Sequence, residues 1–161
     1  MTGFKGGCLC GAIRYEIAGA PVNMWNCHCD DCRKSSGASY ATNVFVQIAD
    51  LTVIKGEPAR FSHKADSGNT MTKEYCAKCG SQLFNGNSGR PAIKVVRAGT
   101  IDEGGFVFPK ANVYASRALP SVLEGSKIPA FDEMPPDPSV FFDFVAVEKD
   151  MPEIALAPTS D

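Results

Sequence analysis

The sequence predicts an all-β domain of coiled sheets. Three observations carry the prediction. The chain is mostly short, β-prone runs; Gly, Asn, Asp or Pro punctuates them at close spacing; and only one brief stretch has helical character. At 161 residues, the chain has the length of one domain, or of one domain with an appendage. With 44% hydrophobic and 21% charged residues, it carries enough apolar material for a core of its own.

In chain order, residues 12–18 (AIRYEIA) alternate apolar and polar side chains, as a half-buried strand does. Residues 22–27, 40–46, 51–55, 59–63, 70–76, 82–85 and 92–98 read in the same way, and residues 112–116 and 140–147 are further strands. Residues 30–36 (DDCRKSS) form the single short helix. No repeat of 20–50 residues is present, although two of the cysteine motifs described below resemble each other. Composition shifts from Pro129 onward, where Pro135, Pro136, Pro138, Pro152 and Pro158 punctuate an acidic segment. The predicted division is a domain over residues 1–131 and a Pro-rich acidic extension over 132–161. In the extension, Phe141, Phe142 and Phe144 read as an apolar patch that docks on the domain or on a second subunit.

Charge narrows the function classes. The formal net charge is −2 and the pI about 5.7. If all seven cysteines bound two zinc ions as thiolates, the charge would fall to roughly −5, because metal binding deprotonates thiols. Such a chain does not attract nucleic acid by bulk charge, and its basic residues are scattered, Arg33-Lys34 being only a pair. No Ser-His-Asp arrangement, phosphate loop or dinucleotide fingerprint is visible. No apolar run approaches the roughly 20 residues that span a bilayer. The opening MTGFKGGCLCG lacks the apolar core of a secretory signal. The expectation is therefore a cytoplasmic, reducing setting, where cysteines bind metal or do chemistry more often than they form disulfides.

The seven cysteines fall into three knuckles: CLC (Cys8, Cys10), CHCDDC (Cys27, Cys29, Cys32) and CAKCG (Cys76, Cys79). C-x-C and C-x-x-C spacings let one tight turn aim two sulfurs at a single ion. Gly11 and Gly80, directly after Cys10 and Cys79, suit turns that need positive φ. Disulfides are the competing reading, but the count is odd and C-x-C bridges are strained. All-thiolate tetrahedral sites suit zinc or iron–sulfur chemistry, and zinc is preferred, with mononuclear iron as the alternative. Seven ligands divide into four plus three: four thiolates close a structural site, and three leave a position open, as catalytic zinc requires.

Spacing alone leaves the pairing open. A zinc ribbon of Cys29 and Cys32 with Cys76 and Cys79 would strand Cys27 and orphan Cys8 and Cys10. Pairing Cys8 and Cys10 with Cys76 and Cys79 uses every cysteine and leaves Cys27, Cys29 and Cys32 as a local tripod; this division is preferred. In an extended C-H-C segment the side chains alternate, so His28 is expected to face away from the tripod in a structural role. His63 reaches the site only through the fold. The open position is then for water or a substrate atom.

Three stretches taken together, GGCLCGAIRYE (6–16), NCHCDDCRKSSG (26–37) and EYCAKCGSQLF (74–84), with the later RAGTIDEGG (97–105), strongly resemble the glutathione-dependent formaldehyde-activating family, which includes the centromere protein V-like proteins. The resemblance covers roughly residues 3–131. It implies coiled antiparallel sheets of the Mss4-like type with zinc-binding cysteine knuckles. It also implies a structural zinc at Cys8, Cys10, Cys76 and Cys79 and a second zinc at Cys27, Cys29 and Cys32. The chain departs from the family in having Asn112 where His is common and no Trp near Ser121, positions expected to shape the substrate pocket.

The activity implied is condensation of glutathione with formaldehyde to S-hydroxymethylglutathione, or the reverse carbon–sulfur cleavage: a lyase/synthase acting on a small thiol adduct. Zinc held by three thiolates is electron-rich, which favours a thiol carrier over a carbonyl activator. A thiol in its fourth position is deprotonated, and the protein supplies orientation. The catalytic set is Cys27, Cys29 and Cys32. Arg33 and Lys34, with the hydroxyls of Ser35 and Ser36, are the expected partners of glutathione's carboxylates. Trp25 and Phe45 either wall the pocket or join the core, the latter preferred. Tyr40 and Tyr114 are possible proton donors. The partner is a small thiol, with neither nucleic acid nor membrane, and a homodimer is possible. The alternative is a non-catalytic zinc module binding a protein or thiol ligand, its tripod closed by His28, His63 or a neighbouring chain.

Overall fold

The computed structural model describes residues 3–135. The strand expected at 140–147 and the phenylalanine patch at 141–144 lie outside the described residues. So does most of the 132–161 extension.

Among the described residues, eleven strands form two sheets, with one α-helix beside them. β1 (Phe4–Gly7), β2 (Arg14–Ile17) and β5 (Leu51–Lys55) make a small antiparallel sheet in the order β1-β2-β5. The large sheet holds β3 (Asn23–Cys27), β4 (Ala41–Gln47), β6 (Ala59–Lys64), β7 (Thr70–Tyr75), β8 (Gln82–Asn87), β9 (Ile93–Arg97), β10 (Asn112–Val113) and β11 (Ala130–Phe131). Its order is β11-β10-β3-β4-β9-β8-β7-β6. The α-helix, α1, spans Asp30–Ser36 as expected. Among the described residues no helix is long and apolar enough to cross a membrane.

The all-β architecture matches the sequence reading. The large sheet is mixed: its meander is antiparallel, whereas β10 runs parallel to both β3 and β11. A parallel neighbour requires a long connection, and the chain between β3 and β10 supplies one. β1 escapes sequence detection because FKGG has no alternation, and β11 because it is two residues long. The strand expected at 112–116 stops at Val113. There Tyr114 turns into the left-handed region (φ 56°) and the chain enters a 3₁₀ turn at Ala115–Arg117.

Register separates the two faces of the large sheet. One row, Glu74–Phe84–Val96–Val44–Met24, runs across β7, β8, β9, β4 and β3. Phe84, Val96, Val44 and Met24 in this row pack with Phe4, Ile13, Tyr15 and Ile17 from the small-sheet side into the main core, with Tyr15 edge-on to Phe84 at 5.0 Å. Glu74 at the end of the row is buried and held by Arg60 and Lys94. The next row, Phe61–Lys73–Asn85–Val95–Phe45–Asn23, faces the other way because side chains alternate along every strand. On that second face a smaller cluster of Trp25, Cys27, Cys32, Ala41, Phe45, Ala111 and Val113 packs under α1 and β10. The functional geometry lies on this second face.

Candidate active site

The cysteines gather into two groups: Cys8, Cys10, Cys76 and Cys79 in one, and Cys27, Cys29 and Cys32 in the other. In each group the sulfurs all lie within 4.8 Å of one another. The first joins the turn after β1 to the turn after β7. Cys8 and Cys10 Sγ are 3.6 Å apart, and Cys10 and Cys76 Sγ 3.8 Å apart. A tetrahedron with metal–sulfur bonds of about 2.3 Å has edges of about 3.8 Å, so the donor set fits a tetrahedral ion such as zinc. Gly11 (φ 70°) and Gly80 (φ 75°) close the two turns in the left-handed region, as their positions after Cys10 and Cys79 suggest. Ser81 serves both arms. Its hydroxyl accepts from Leu9 N–H at 3.0 Å and lies 3.3 Å from Cys79 Sγ. Hydrogen bonds from the Ser81 side chain and backbone hold the Cys79 thiol down to about 5.

The second group is local. Cys27 ends β3, Cys29 caps α1 and Cys32 sits in the first turn of α1. A strand end, a cap and the residue three further on converge on one point. Cys29 Sγ is 3.4 Å from Cys27 Sγ and accepts the Cys32 N–H at 3.4 Å, an N-cap made by a thiol. Hydrogen bonds from Cys27 and Cys29 lower the Cys32 thiol to about 2, against its burial, with help from the Arg97 and Lys73 cations. Cys27 is pushed far up by its two thiol neighbours and by burial.

Neither histidine joins a sulfur cluster. His28 is fully buried facing away from the tripod, its Nε2 3.0 Å from Asn112 Oδ1 and its ring 5.1 Å from that of Tyr40. His63 Nε2 meets Asp31 Oδ2 at 2.9 Å. Asn112 is not a pocket residue, contrary to expectation. It lies behind the tripod, where it holds His28, Asn26, Ser126 and the Ile128 carbonyl.

All three tripod cysteines line a cavity of about 270 Å³ on the second face of the large sheet. Its floor is the row Lys73–Asn85–Val95–Phe45, extended by Trp25, Asn43 and Ile93. Its walls are Asp31 of α1, the β6–β7 turn with Asp66 and Asn69, Arg90, Tyr114, Arg117 and Met134. Trp25 and Phe45 are at once core and wall: both are buried, their rings are 4.1 Å apart, and both line the cavity. Tyr114 also lines it, and burial together with the Cys27 and Cys29 sulfurs raises its phenol pKa. Arg117 stacks 5.7 Å over the Tyr114 ring and bonds Asp66 at 2.8 Å across the mouth.

The residues after the tripod point elsewhere. Arg33 donates to the His28 carbonyl at 3.2 Å and pairs with Asp30. Ser35 Oγ bonds the Cys32 carbonyl at 3.3 Å, and Ser36 Oγ bonds the same carbonyl at 2.7 Å. Lys34 and Ser35 lie along a neighbouring groove with Phe61 and Tyr75, which has Asp31 and Lys73 in common with the cavity. None of the four lines the cavity: Arg33 and Lys34 are turned about 100° and 200° around the α1 axis from Cys32, and the Ser35 and Ser36 hydroxyls are spent on the Cys32 carbonyl. Tyr40 is likewise outside, against His28.

The cations that do reach the site were missed by sequence reasoning. Arg97 is buried, donates to Asn43 Oδ1, and its Nη1 lies 3.9 Å from Cys32 Sγ. Lys73 is buried at 4% exposure, lines the cavity, and makes no side-chain hydrogen bond or ion pair with any described residue. Burial lowers its pKa from the ordinary lysine value, and Cys32 opposes that shift. A signal for both existed. In TMTKEY, Lys73 shares a phase with Met71 and Tyr75; in IKVVR, Arg97 shares one with Ile93 and Val95. A cation in the apolar phase of a strand is either buried or at a site.

The family model described as glutathione-dependent formaldehyde-activating enzyme matches residues 3–117. Among solved structures, the chain is similar to a Rhodobacter sphaeroides protein determined as a structural-genomics target. The two are 18% identical, with a TM-score of 0.52, over 79% of this chain and 99% of that one. A likeness at that identity is one of fold.

Proposed function

The chain belongs to the glutathione-dependent formaldehyde-activating family, and from that premise we propose that it is a zinc-dependent carbon–sulfur lyase or synthase. Its reaction class is the joining of a small thiol and an aldehyde, as in S-hydroxymethylglutathione formation, or the reverse cleavage. The observation that carries this reading is that three convergent sulfurs line a cavity that also presents cations and aromatic walls. In this reading Cys8, Cys10, Cys76 and Cys79 hold a structural zinc, and Cys27, Cys29 and Cys32 hold the one at the reaction centre. When bound there, zinc supplies a fourth position that keeps the substrate thiol deprotonated.

The protein's own residues orient and enclose. Trp25, Phe45 and Val95 give the thiol's methylene an apolar surface and exclude water from the sulfur. Arg90, exposed at the rim with no side-chain partner among the described residues, and Arg117 take glutathione's carboxylates. Asp66, which pairs with Arg117 and also lines the cavity, suits its ammonium. Arg33, Ser35 and Ser36 hold α1 in place instead of binding the thiol, and Lys34 stays in the neighbouring groove. Arg97 balances the negative charge of the tripod from behind. Residues 1–131 form the catalytic unit, with 132–161 an appendage, and seven free thiols suit a reducing cytoplasm.

Glutathione titration of cobalt-substituted protein tests the reading, with sulfur-to-cobalt charge-transfer absorbance as the signal. A saturable rise that is lost in Cys29→Ser is expected. No rise with glutathione or any smaller thiol would show the fourth position closed. It would then favour the alternative of a non-catalytic zinc module.

A further inference from the structure

We propose that Lys73 is a catalytic residue of this site: its ammonium binds the aldehyde oxygen as the carbon–sulfur bond forms, and the same oxygen in the adduct as that bond breaks. The inference rests on the reading of the cavity as a thiol–aldehyde site.

Placement comes first. Lys73 sits on the cavity floor, in register with Asn85 and in the same row as Phe45. It lines the same cavity as Cys27, Cys29 and Cys32. In a hydroxymethyl thioether the oxygen is two bonds from the sulfur, so a donor for that oxygen must stand beside the tripod. Glutathione's carboxylates lie several bonds further out, toward Arg90 and Arg117 at the rim.

The second consideration is partnership. The other charged side chains near this face each have a side-chain partner: Arg97 has Asn43, Arg117 has Asp66 and His63 has Asp31, although Arg97 Nε and His63 Nδ1 themselves meet none. Lys73 is nine-tenths buried and has no hydrogen bond or ion pair to any described residue. Its Nζ is not among the fully buried atoms left without a partner, so the head group stays accessible from the space that the side chain lines. An oxygen on which negative charge develops is a fitting partner for it, and the donor is already in place before the reaction starts.

The step balances without a further reagent. The thiolate sulfur's electron pair forms the bond to the carbonyl carbon, and the carbonyl π pair moves onto oxygen beside Lys73. The proton lost by the thiol on binding returns to that oxygen through solvent water, giving RS–CH₂–OH. The reverse removes that proton, re-forms the carbonyl and releases the thiolate.

The test is Lys73→Met, which keeps the length of the side chain and removes the charge, with Lys73→Gln as a second, polar neutral variant. Exchange of carbon-13 formaldehyde into the adduct is followed by NMR above the uncatalysed background. Both glutathione and 2-mercaptoethanol, which has no carboxylate, serve as thiols. We expect kcat/KM to fall about 100-fold with both thiols, as on loss of one oxyanion donor, while thiol affinity at the cobalt-substituted tripod stays within about twofold of wild type. Either variant that folds and retains wild-type exchange overturns the proposal. A loss confined to glutathione, with weakened thiol binding, also overturns it and assigns Lys73 to a carboxylate. If wild-type protein binds thiol but shows no exchange above background, both this inference and the lyase reading fall. If wild type shows exchange and the Lys73 variants match it, this inference falls and the lyase reading stands alone.

Discussion

The two sulfur clusters differ in what they hold together, and that difference sets a measurable asymmetry. Cys10 and Cys76 are 66 residues apart in sequence, so an ion on the four-cysteine set clips a long loop. Cys27 to Cys32 spans six residues. Treating each as a crosslink on the unfolded chain, loop-closure entropy assigns about 4 kcal/mol to the long clip and about 2 kcal/mol to the short one. Cys76→Ser/Cys79→Ser removes one whole arm of the long clip. Cys29→Ser removes one tripod ligand but leaves a residue type that still caps α1. The double variant should lose about 4 kcal/mol, a fall in Tm of about 8–16 °C for a chain of this size. Cys29→Ser should lose no more than about 2 kcal/mol and stay folded. The assay is urea and thermal unfolding followed by circular dichroism, with zinc counted by mass spectrometry on the same samples. Each preparation should retain one zinc. If Cys29→Ser is as destabilised as the double variant, the tripod is structural. If the double variant melts within a few degrees of wild type, the long clip does not hold the two turns together.

Other expectations follow from single contacts. Asn112→Ala strips partners from His28 and the Asn26 amide; we expect a loss of about 3 kcal/mol in urea unfolding, and a loss under about 1 kcal/mol would mean that His28 needs no partner. Arg14 holds the Asp102 carboxyl below its ordinary value. The contribution is therefore complete above about pH 4 and disappears as pH falls through the folded value. Asp102→Asn should be less stable than wild type at neutral pH and converge with it in acid, and parallel pH profiles would contradict this. Arg90→Gln should weaken glutathione binding to the cobalt protein about tenfold, as for loss of one charged hydrogen bond, and leave 2-mercaptoethanol unchanged. Equal effects on both thiols would remove Arg90 from carboxylate recognition.

Much of the fold was legible because its signals are local. Alternation in AIRYEIA and turn residues between runs mark strands without reference to the rest of the chain, and DDCRKSS carries its own cap and acidic first turn. β1 was not legible because FKGG lacks alternation and is held by pairing with β2. The end of β10 was not legible because Tyr114 adopts positive φ, which nothing in a tyrosine codes. At the site, the three knuckles were readable from spacing, whereas spacing left open which knuckles share an ion, and the fold brings Cys8 and Cys10 to Cys76 and Cys79. Arg33, Lys34 and Ser35, expected at the site from their adjacency to Cys32, do not line the tripod's cavity: a helix advances around its axis by about 100° per residue, so adjacency to Cys32 does not carry a side chain into the same space.

By itself, then, the sequence determined which thiols belong to one turn, that the chain is all-β, and that His28 faces away from Cys27 and Cys29, since each follows from backbone geometry over a few residues. The tertiary structure decided what crosses the sheet. It joined the turn after β1 to the turn after β7 around four sulfurs and set Lys73, Asn85, Val95 and Phe45 in one row under the tripod. Pairing between distant strands is set by packing both sheet faces at once, and only that packing brings a lysine from β7 to cysteines that close β3 and open α1.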